Sequence, residues 1–477
     1  FVFYTLISNY LKALRLQASM PRRFVLQKYH TRGKLARLLA GCLSFFVAGP
    51  AFGVDHLVRL DLETALEWAI EASPAVHAAE TDLKIAETEW SRAHAARILP
   101  KFDLSWILGP SPEARGNALT GDTDLGNLSL FSRSEVSLVQ PLFTFGKLSA
   151  IEDAASGGIA AQKAGLERSQ HKVALQVIKA YYGLLLGNEL WELAVEAKRD
   201  IGDARETILE KLEAEEGDYT YIDLARLDRF LFDVHENLNK VAKLKSFSRS
   251  ALKSLLGLAR NDSLVLTQER LSPISVELLP LEDYVVRSDD RPGLRQLRSV
   301  IGIREAQVRV ARSDYYPQLF LGGQFKYSFA PNRDDQDSPF AKDDFNFKHL
   351  GVVVGLRQSL SFGATRAKVR KVQLEHQKLI HQGRLARAGA RIELERIYAS
   401  LKEAQGNVAE ARKAKRATRR WINSAREGFN AGLEESGELI EAVKEYGVIR
   451  AKYLEAVYNL NTTWAALQIA TGNAVVK

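Results

Sequence analysis

Charged side chains crowd two short stretches of the sequence, and their types and spacing indicate electrostatic rather than covalent chemistry. The acidic positions are Glu213, Glu215, Asp218, Glu434, Glu435, Glu438 and Glu441. Residues 384–426, which lead into the second stretch, hold twelve basic and four acidic residues. The basic positions near that stretch include Arg416, Arg419 and Arg420. Clustered carboxylates attract cations, and opposite charges on facing helices form ion pairs.

No catalytic motif accompanies these charges. The sequence contains no HExxH zinc motif, no phosphate-binding loop and no GxSxG nucleophile elbow. His376 and His381 are five positions apart, a spacing that does not suit a zinc pair on one helical face. Basic residues alternate with acidic and small apolar residues rather than with aromatic ones, so we expect no nucleic-acid binding. We predict a protein that is not an enzyme and uses no metal or cofactor.

Composition sets two further bounds. The chain has 477 residues, a formal charge of +8 and one cysteine. This length exceeds that of one typical domain, and a single cysteine excludes an internal disulfide or a cysteine metal cluster. Residues 1–53 contain eight Lys and Arg residues and no acid, so the rest of the sequence is formally neutral. The net charge therefore does not identify an anionic partner.

Residues 1–53 are predicted to be a leader. An apolar run at residues 38–53 follows a basic flank and ends in small residues, as in a secretory signal peptide cleaved before Val54. Met20 is the only methionine, and we expect the natural start there. Cys42 fits a bacterial lipoprotein box, but the apolar segment between Arg37 and Cys42 is short. An unmodified thiol in a discarded leader is the favoured interpretation.

The remaining sequence is duplicated at an offset of about 217 residues. Matching positions are Pro74 with Pro292, Pro100 with Pro317, and Gln140 with Gln358. We predict a first repeat at residues 54–258, an equatorial linker at 259–288 and a second repeat at 289–477.

Each repeat is predicted to contain a helix, two strands, a long helix and a return helix. Alternating polarity predicts strands at about 101–109 and 132–143 in the first repeat, and at about 317–329 and 349–362 in the second. The connections at 109–131 and 330–348 are rich in Gly, Pro, Asp and Asn. We expect them to be solvent-exposed loops.

Two stretches without proline predict long helices at about 147–214 and 364–430, each on the order of 100 Å long. Turns are expected at 215–220 and 430–437, with return helices to about 256 and 471. The first long helix has apolar or small residues at every seventh position, which is typical of a coiled-coil seam. These positions are Ile159, Leu166, Val173, Ala180, Gly187, Ala194, Ile201 and Ile208. Taken alone, the helices would equally suit a coiled-coil protein of the cytoskeletal kind.

The strand pattern favours a membrane. Two-residue alternation over about ten residues with aromatic ends is typical of a transmembrane β-strand. Open strand edges cannot face lipid, so the sheet must close. Four strands are too few and eight fill their own interior, whereas twelve strands from three chains leave a pore. A soluble four-stranded sheet on helices is the alternative, which the exposed apolar face and the leader disfavour.

The sequence resembles the TolC family of outer-membrane efflux and secretion channels over about residues 60–472. The resemblance rests on the duplication, on QPLFTFGK at residue 140 and QSLSFGAT at residue 358, and on the segment from NAGLEESGELIEAV at residue 430 to Gly472. It implies a mainly α fold with a small β part, in which three copies form a twelve-strand β-barrel continued by a periplasmic α-helical coiled-coil barrel. It also implies a Gram-negative outer-membrane location, contact with outer-membrane lipid, and docking to a periplasmic adaptor and an inner-membrane pump or ABC exporter.

The resemblance places the periplasmic tip at the two helix turns. Acidic residues after the second turn ring the constriction in the family, and Glu438 and Glu441 match them by position, although the best-known members have Asp there. Glu434 and Glu435 precede them. We expect Arg416, Arg419 and Arg420 to meet Glu213, Glu215 and Asp218 between neighbouring coiled coils and hold the tip shut. The alternative for both sets is a solvated helix surface.

Two functions remain open after the sequence is read. The first is a passive outer-membrane exit duct of a tripartite efflux or type I secretion system, gated at its periplasmic tip. The second is a secreted periplasmic coiled-coil scaffold without a pore. The sequence identifies no transported substrate.

Overall fold

A computed structural model describes residues 57–116, 122–216, 219–336 and 343–473 of the chain. The predicted leader with Met20 and Cys42 lies outside these residues, as does Asp218. The described helices are α1 (Leu62–Ala72), α2 (Pro74–Ile98), α3 (Lys147–Glu213), α4 (Tyr221–Leu255), α5 (Leu281–Ser288), α6 (Pro292–Ser313), α7 (Phe362–Asn430) and α8 (Ser436–Ala470). The described strands are β1 (Leu57–Leu60), β2 (Lys101–Arg115), β3 (Asp122–Phe143), β4 (Ser263–Leu266), β5 (Gln318–Phe329) and β6 (Phe347–Arg357).

The described chain is built from two units with the same order of elements. The first is α2, β2, β3, α3 and α4, and the second is α6, β5, β6, α7 and α8. Proline occupies the first turn of both α2 and α6, where its missing N–H has no helical partner to lose. The mainly helical fold with a small sheet part confirms the fold class predicted from the sequence.

The four longer strands form one antiparallel sheet in the order β2-β3-β5-β6. The central pairing joins the two units, with Val136 of β3 opposite Phe325 of β5. Strands β2 and β6 are the edges of this sheet within the chain. Among the described residues, each edge strand therefore has one row of backbone N–H and C=O groups that pairs with no further strand, apart from a single bridge between Ala114 of β2 and Arg333.

The predicted loop at 109–131 was wrong for most of its length. Strand β2 continues to Arg115 and β3 begins at Asp122, with Gly109 opposite Phe131 and a shift in register after Pro112. Because β2 is an edge strand, its prolines sit where a missing N–H breaks no second ladder. The sequence pattern of glycine and proline therefore marked a strand edge and a bulge rather than a loop.

Strand β6 is shorter than predicted and ends at Arg357, opposite Gln318. The residue before Gln318 is Pro317, which has no N–H to donate to a longer pairing. Beyond the strand, Gln358 instead donates a side-chain hydrogen bond of 3.1 Å to the carbonyl of Tyr315. Helix α7 then begins at Phe362, which had been expected to close the strand.

The long helices α3 and α7 have 67 and 69 residues. The seven-residue seam of α3 lies against neighbouring helices: Val173, Ala180, Gly187, Ile201 and Ile208 are buried, and the other three positions of the seam are half-buried. Gly187 allows α4 to approach closely, because a Cβ there would lie only 3.2 Å from the Cα of Lys245. None of the described helices has a stretch apolar and long enough to cross a membrane.

The linker between the units packs around the middle of the helices. Strand β4 in this linker pairs with β1 in parallel. Its irregular backbone is satisfied by buried side chains: Glu189 of α3 accepts a 2.7 Å hydrogen bond from the N–H of Leu271, and Asn461 of α8 bonds the backbone of Ser272 and Ile274. Pairing of these groups satisfies part of the linker's irregular backbone where it lies against α3 and α8.

Candidate functional site

One face of the four-stranded sheet is apolar and exposed. Across the sheet, Leu104, Val136, Phe325 and Leu350 lie side by side in one row. Leu104 and Leu350 at the two ends of this row are 74% and 75% exposed. A soluble protein rarely exposes a continuous apolar face of this kind, whereas a strand surface in contact with lipid requires it.

The opposite face of the sheet carries a row of polar side chains, although Phe320 and Val353 lie on it as well. Ser105, Glu135, Lys326 and His349 form the neighbouring row. Lys326 lies 3.3 Å from Glu135, which also accepts a 2.6 Å hydrogen bond from Gln324. The sheet therefore separates an apolar side from a hydrogen-bonded polar side, as the wall of a water-filled pore does.

The first helix turn lies at the far end of α3 from the sheet. Glu215 adopts a left-handed conformation with φ of 55° directly after the helix, and the N–H of Glu216 bonds the carbonyl of Lys211 at 2.9 Å. This is the hydrogen-bond pattern of a Schellman helix end. Helix α4 then begins with a capping box in which Thr220 and Asp223 bond each other's backbone N–H groups.

The second turn has the same construction. Gly432 follows α7 with φ of 70°, and the N–H of Leu433 bonds the carbonyl of Gly428 at 2.8 Å. Glycine adopts this conformation at no steric cost, so the second turn lacks the strain that Glu215 carries in the first. Helix α8 begins four residues later, at Ser436.

Two contacts tie the turns together. Buried Ser436 donates a 2.8 Å hydrogen bond from its hydroxyl to the Asp223 carboxylate. The ring of Tyr219 meets Phe429 edge to face at 6.1 Å. Burial alone would raise the pKa of Asp223, but hydrogen bonds from Thr220 and Ser436 together with nearby Arg226 outweigh it, so the pKa lies below its ordinary value. The Asp223 carboxylate is therefore charged at neutral pH and holds both turns.

All four glutamates predicted for the constriction are exposed on and beside the start of α8. Glu438 accepts a 2.7 Å hydrogen bond from the indole N–H of Trp421, and Glu441 lies 3.4 Å from Lys444. Glu435 is the N-cap of α8, and its carbonyl accepts the N–H of Glu438 at 3.2 Å. The structure thus brings these carboxylates to one end of the helices, beside the first turn.

Among the described residues, the predicted charge links are not made within one chain. In the part of the chain that the structure describes, no ion pair joins Arg416, Arg419 or Arg420 to a carboxylate. Glu213 and Glu215 likewise have no cation within ion-pair distance among those residues. The sequence hypothesis placed these links between neighbouring coiled coils, and it stays a prediction.

Sequence reasoning missed a buried ion pair further from the turns. Arg426 of α7 forms a charge-assisted hydrogen bond with Asp200 of α3, whose side chain is 9% exposed. Burial raises the pKa of Asp200, although the adjacent Arg426 guanidinium opposes that shift. The position of Asp200 beside Ile201 in the heptad seam was the signal that could have identified it.

A second pair crosses between units nearby. Arg450 of α8 lies 2.7 Å from Glu196 of α3, and Lys415 of α7 sits 4.5 Å from the ring centre of Tyr453. Desolvation lowers the pKa of Lys415, and the positive charge of Arg450 lowers it further. The basic segment of α7 is therefore partly engaged inside the chain. The described residues contain no cluster of His, Cys, Asp and Glu suited to a metal ion.

Comparison with known proteins gives a consistent picture. Residues 288–473 match the sequence model described as outer membrane efflux protein. No curated protein matches the chain by sequence. The fold is similar to that of the outer-membrane channel OprN, with a TM-score of 0.72, 17% identity and coverage of 87% of this chain and 90% of OprN. It is also similar to the CmeC outer membrane channel of Campylobacter jejuni, with a TM-score of 0.70, 17% identity and coverage of 86% and 85%. The outer membrane protein VceC of Vibrio cholerae gives a TM-score of 0.70, 17% identity and coverage of 87% and 96%.

Proposed function

We propose that three copies of this chain form a passive export duct gated at its periplasmic tip, because residues 288–473 match the sequence model of outer membrane efflux proteins and the fold is similar to that of outer-membrane channels. The duct would be the outer-membrane component of a tripartite efflux or type I secretion system. Proteins of this family are channels of the outer membrane rather than enzymes.

The observation that carries the proposal is the sheet. Its four strands have one exposed apolar face, one face with a row of polar side chains, and two edges that pair with no further strand among the described residues. Edges of this kind cannot remain open in lipid, so β6 of one copy must pair with β2 of the next. Twelve strands then enclose a polar lumen, and the long helices extend it about 100 Å into the periplasm.

The gate would lie where the helices turn. Three copies bring Glu438 and Glu441 from each chain around one axis, with Glu434 and Glu435 beside them. Arg416, Arg419 and Arg420 of one copy would face Glu213, Glu215 and Asp218 of the next, because none of the described members of these sets is paired within its own chain. The same tip would receive a periplasmic adaptor and, through it, an inner-membrane pump or ABC exporter.

The test is the state of the full-length protein in the cell envelope. A trimer that migrates differently before and after heating, found in the outer-membrane fraction, together with single-channel current after purification, would support the duct. A soluble periplasmic monomer without current would instead favour the coiled-coil scaffold.

A further inference from the structure

An open cavity of about 780 Å³ lies directly below β5 and β6, between the end of α6 and the start of α7. Three arginines line it: Arg312 from α6, and Arg366 and Arg370 from α7. Tyr315, Tyr316 and Gln373 complete its polar wall, and no carboxylate lines it. Within the described residues, none of the three guanidinium groups has an ion pair or a hydrogen-bond acceptor. The cavity therefore collects three positive charges and no counter-charge.

The nearest carboxylate in sequence does not supply that counter-charge. Asp314 lies two residues after Arg312, but it accepts hydrogen bonds from Lys147 at 2.8 Å and Lys368 at 2.7 Å. Arg366 and Arg370 are one helical turn apart, a spacing at which like charges repel. An anion in the cavity would relieve this repulsion. Its oxygens would accept hydrogen bonds from the guanidinium N–H groups of all three side chains.

An aromatic row connects the cavity with the apolar face of the sheet. Tyr316 in the cavity wall stacks on Phe145 at 5.0 Å between ring centres, and Phe145 meets Phe143 edge to face at 4.7 Å. Phe143 is opposite Leu319 in the sheet, on the apolar face. Aromatic rings of this kind mark the boundary between lipid chains and headgroups. The arginines thus lie just on the helical side of that boundary.

We propose that this cavity binds the phosphate group of an anionic phospholipid in the periplasmic leaflet of the outer membrane. The three guanidinium groups hold the phosphate oxygens, the tyrosine hydroxyls bond the headgroup, and the acyl chains run along Phe143 and the apolar face. Free phosphate is also an anion, but it has no acyl chains to contact the aromatic row. A phospholipid is therefore the preferred occupant. The inference rests on the outer-membrane placement of the sheet and is independent of conduction and gating.

The experiment titrates the purified full-length trimer with phosphatidylglycerol and counts bound lipids by native mass spectrometry. The variant R312Q/R366Q/R370Q is expected to bind this lipid at least about tenfold more weakly, since one charge-assisted hydrogen bond alone contributes on that order. The variant R312K/R366K/R370K keeps the three positive charges but loses the paired N–H donors of the guanidinium groups. Its affinity for phosphatidylglycerol should therefore lie between those of the unmodified protein and the glutamine variant. Zwitterionic phosphatidylcholine should bind all forms equally weakly.

A matched control removes three charges elsewhere. The variant K245Q/R249Q/K253Q alters a second basic cavity, of about 680 Å³, which lies on α4 away from the sheet. It should bind phosphatidylglycerol as the unmodified protein does. The lipid site is overturned if the first variant keeps full binding, if the control loses as much, or if millimolar inorganic phosphate displaces the lipid. Single-channel current recorded on the same samples separates this outcome from failure of the channel proposal.

Discussion

The Ser436 hydroxyl donates a 2.8 Å hydrogen bond to the Asp223 carboxylate, and this bond joins the two helix turns across 213 positions of sequence. The same carboxylate accepts the backbone N–H and the hydroxyl of Thr220, so one charged group organises the start of α4 and anchors the start of α8. A movement of one turn at the tip must therefore either carry the other turn with it or break this bond.

Loss of the bond should loosen the tip. Ser436→Ala leaves Asp223 with Thr220 as its remaining hydroxyl partner and should cost about 1 kcal/mol locally. We expect a higher conductance of the resting channel in a planar bilayer. Ser91→Ala is the control, because the exposed Ser91 hydroxyl donates its hydrogen bond to the carbonyl of Glu87 within α2 itself. Equal conductance of both variants would contradict the link.

The same contact predicts a pH range. Since the pKa of Asp223 lies below its ordinary value of 3.8, its contribution to stability is fully present above that value and is lost as pH falls through the lower, folded-state pKa. The conductance difference between Ser436→Ala and the unmodified channel should therefore stay constant between pH 5 and pH 8. A difference that disappears in this range would show that another group governs the tip.

Loss of the Asp200–Arg426 ion pair should lower stability by an amount that depends on pH. Arg426→Gln removes the hydrogen-bonded cation from a buried carboxylate, leaves it only the more distant Arg199 at 3.8 Å, and should destabilise the folded protein by about 1–3 kcal/mol near pH 7.5. Burial raises the pKa of Asp200, and a raised pKa favours the folded state at acidic pH and loses that effect as pH rises through it. The loss in melting temperature should shrink at pH 5.

A double variant provides the matched comparison for this pair. Asp200→Asn/Arg426→Gln removes the buried charge and should recover much of the stability at pH 7.5. Arg412→Gln, an exposed arginine on the same helix, should change the melting temperature little at either pH. A double variant as unstable as Arg426→Gln would show that packing of the arginine stem, rather than its charge, is what matters.

The sequence predicted most of the architecture because duplication and periodicity are local signals. The seven-residue repeat identified α3, and alternation identified β5 over nearly its full length. Proline accounts for two errors in the prediction, the loop at 109–131 and the length of β6. Pro110 and Pro112 lie inside an edge strand where their missing N–H groups are harmless, and Pro317 shortened the pairing of β6. Edge position is a property of the folded sheet that a single strand's sequence does not contain.

The tip was less accessible to sequence reasoning. Its acidic and basic clusters were visible, but the choice of partners depends on which helix faces pack together. Arg426 was in the basic cluster, yet its partner Asp200 lies 226 positions away. Asp223 had no distinctive pattern beyond the capping box, and its bond to Ser436 follows from the antiparallel return of both helix pairs to one level.

The links proposed between neighbouring copies can be tested on the basic segment at residues 384–426. Arg419→Ser/Arg420→Ser removes two exposed cations close to the second turn, and we expect a higher resting conductance if these cations hold neighbouring copies together. Lys402→Ser/Arg412→Ser removes the same charge from the same helix further from the turn and should leave conductance unchanged. No increase in the first variant would leave these arginines as a solvated helix face.

Glu438 and Glu441 should determine which ions enter the tip. They lie three positions apart at the start of α8, both exposed, so three copies would place six carboxylates around the axis. Glu438→Gln/Glu441→Gln should reduce cation preference, measured as a smaller reversal potential across a potassium chloride gradient, while the Trp421 hydrogen bond can still be accepted by the amide oxygen. Glu67→Gln/Glu71→Gln on α1 removes equal charge far from the turns and should keep the original reversal potential. If both variants keep it, the constriction is formed by other residues, and the carboxylates act only at the N-terminus of their own helix.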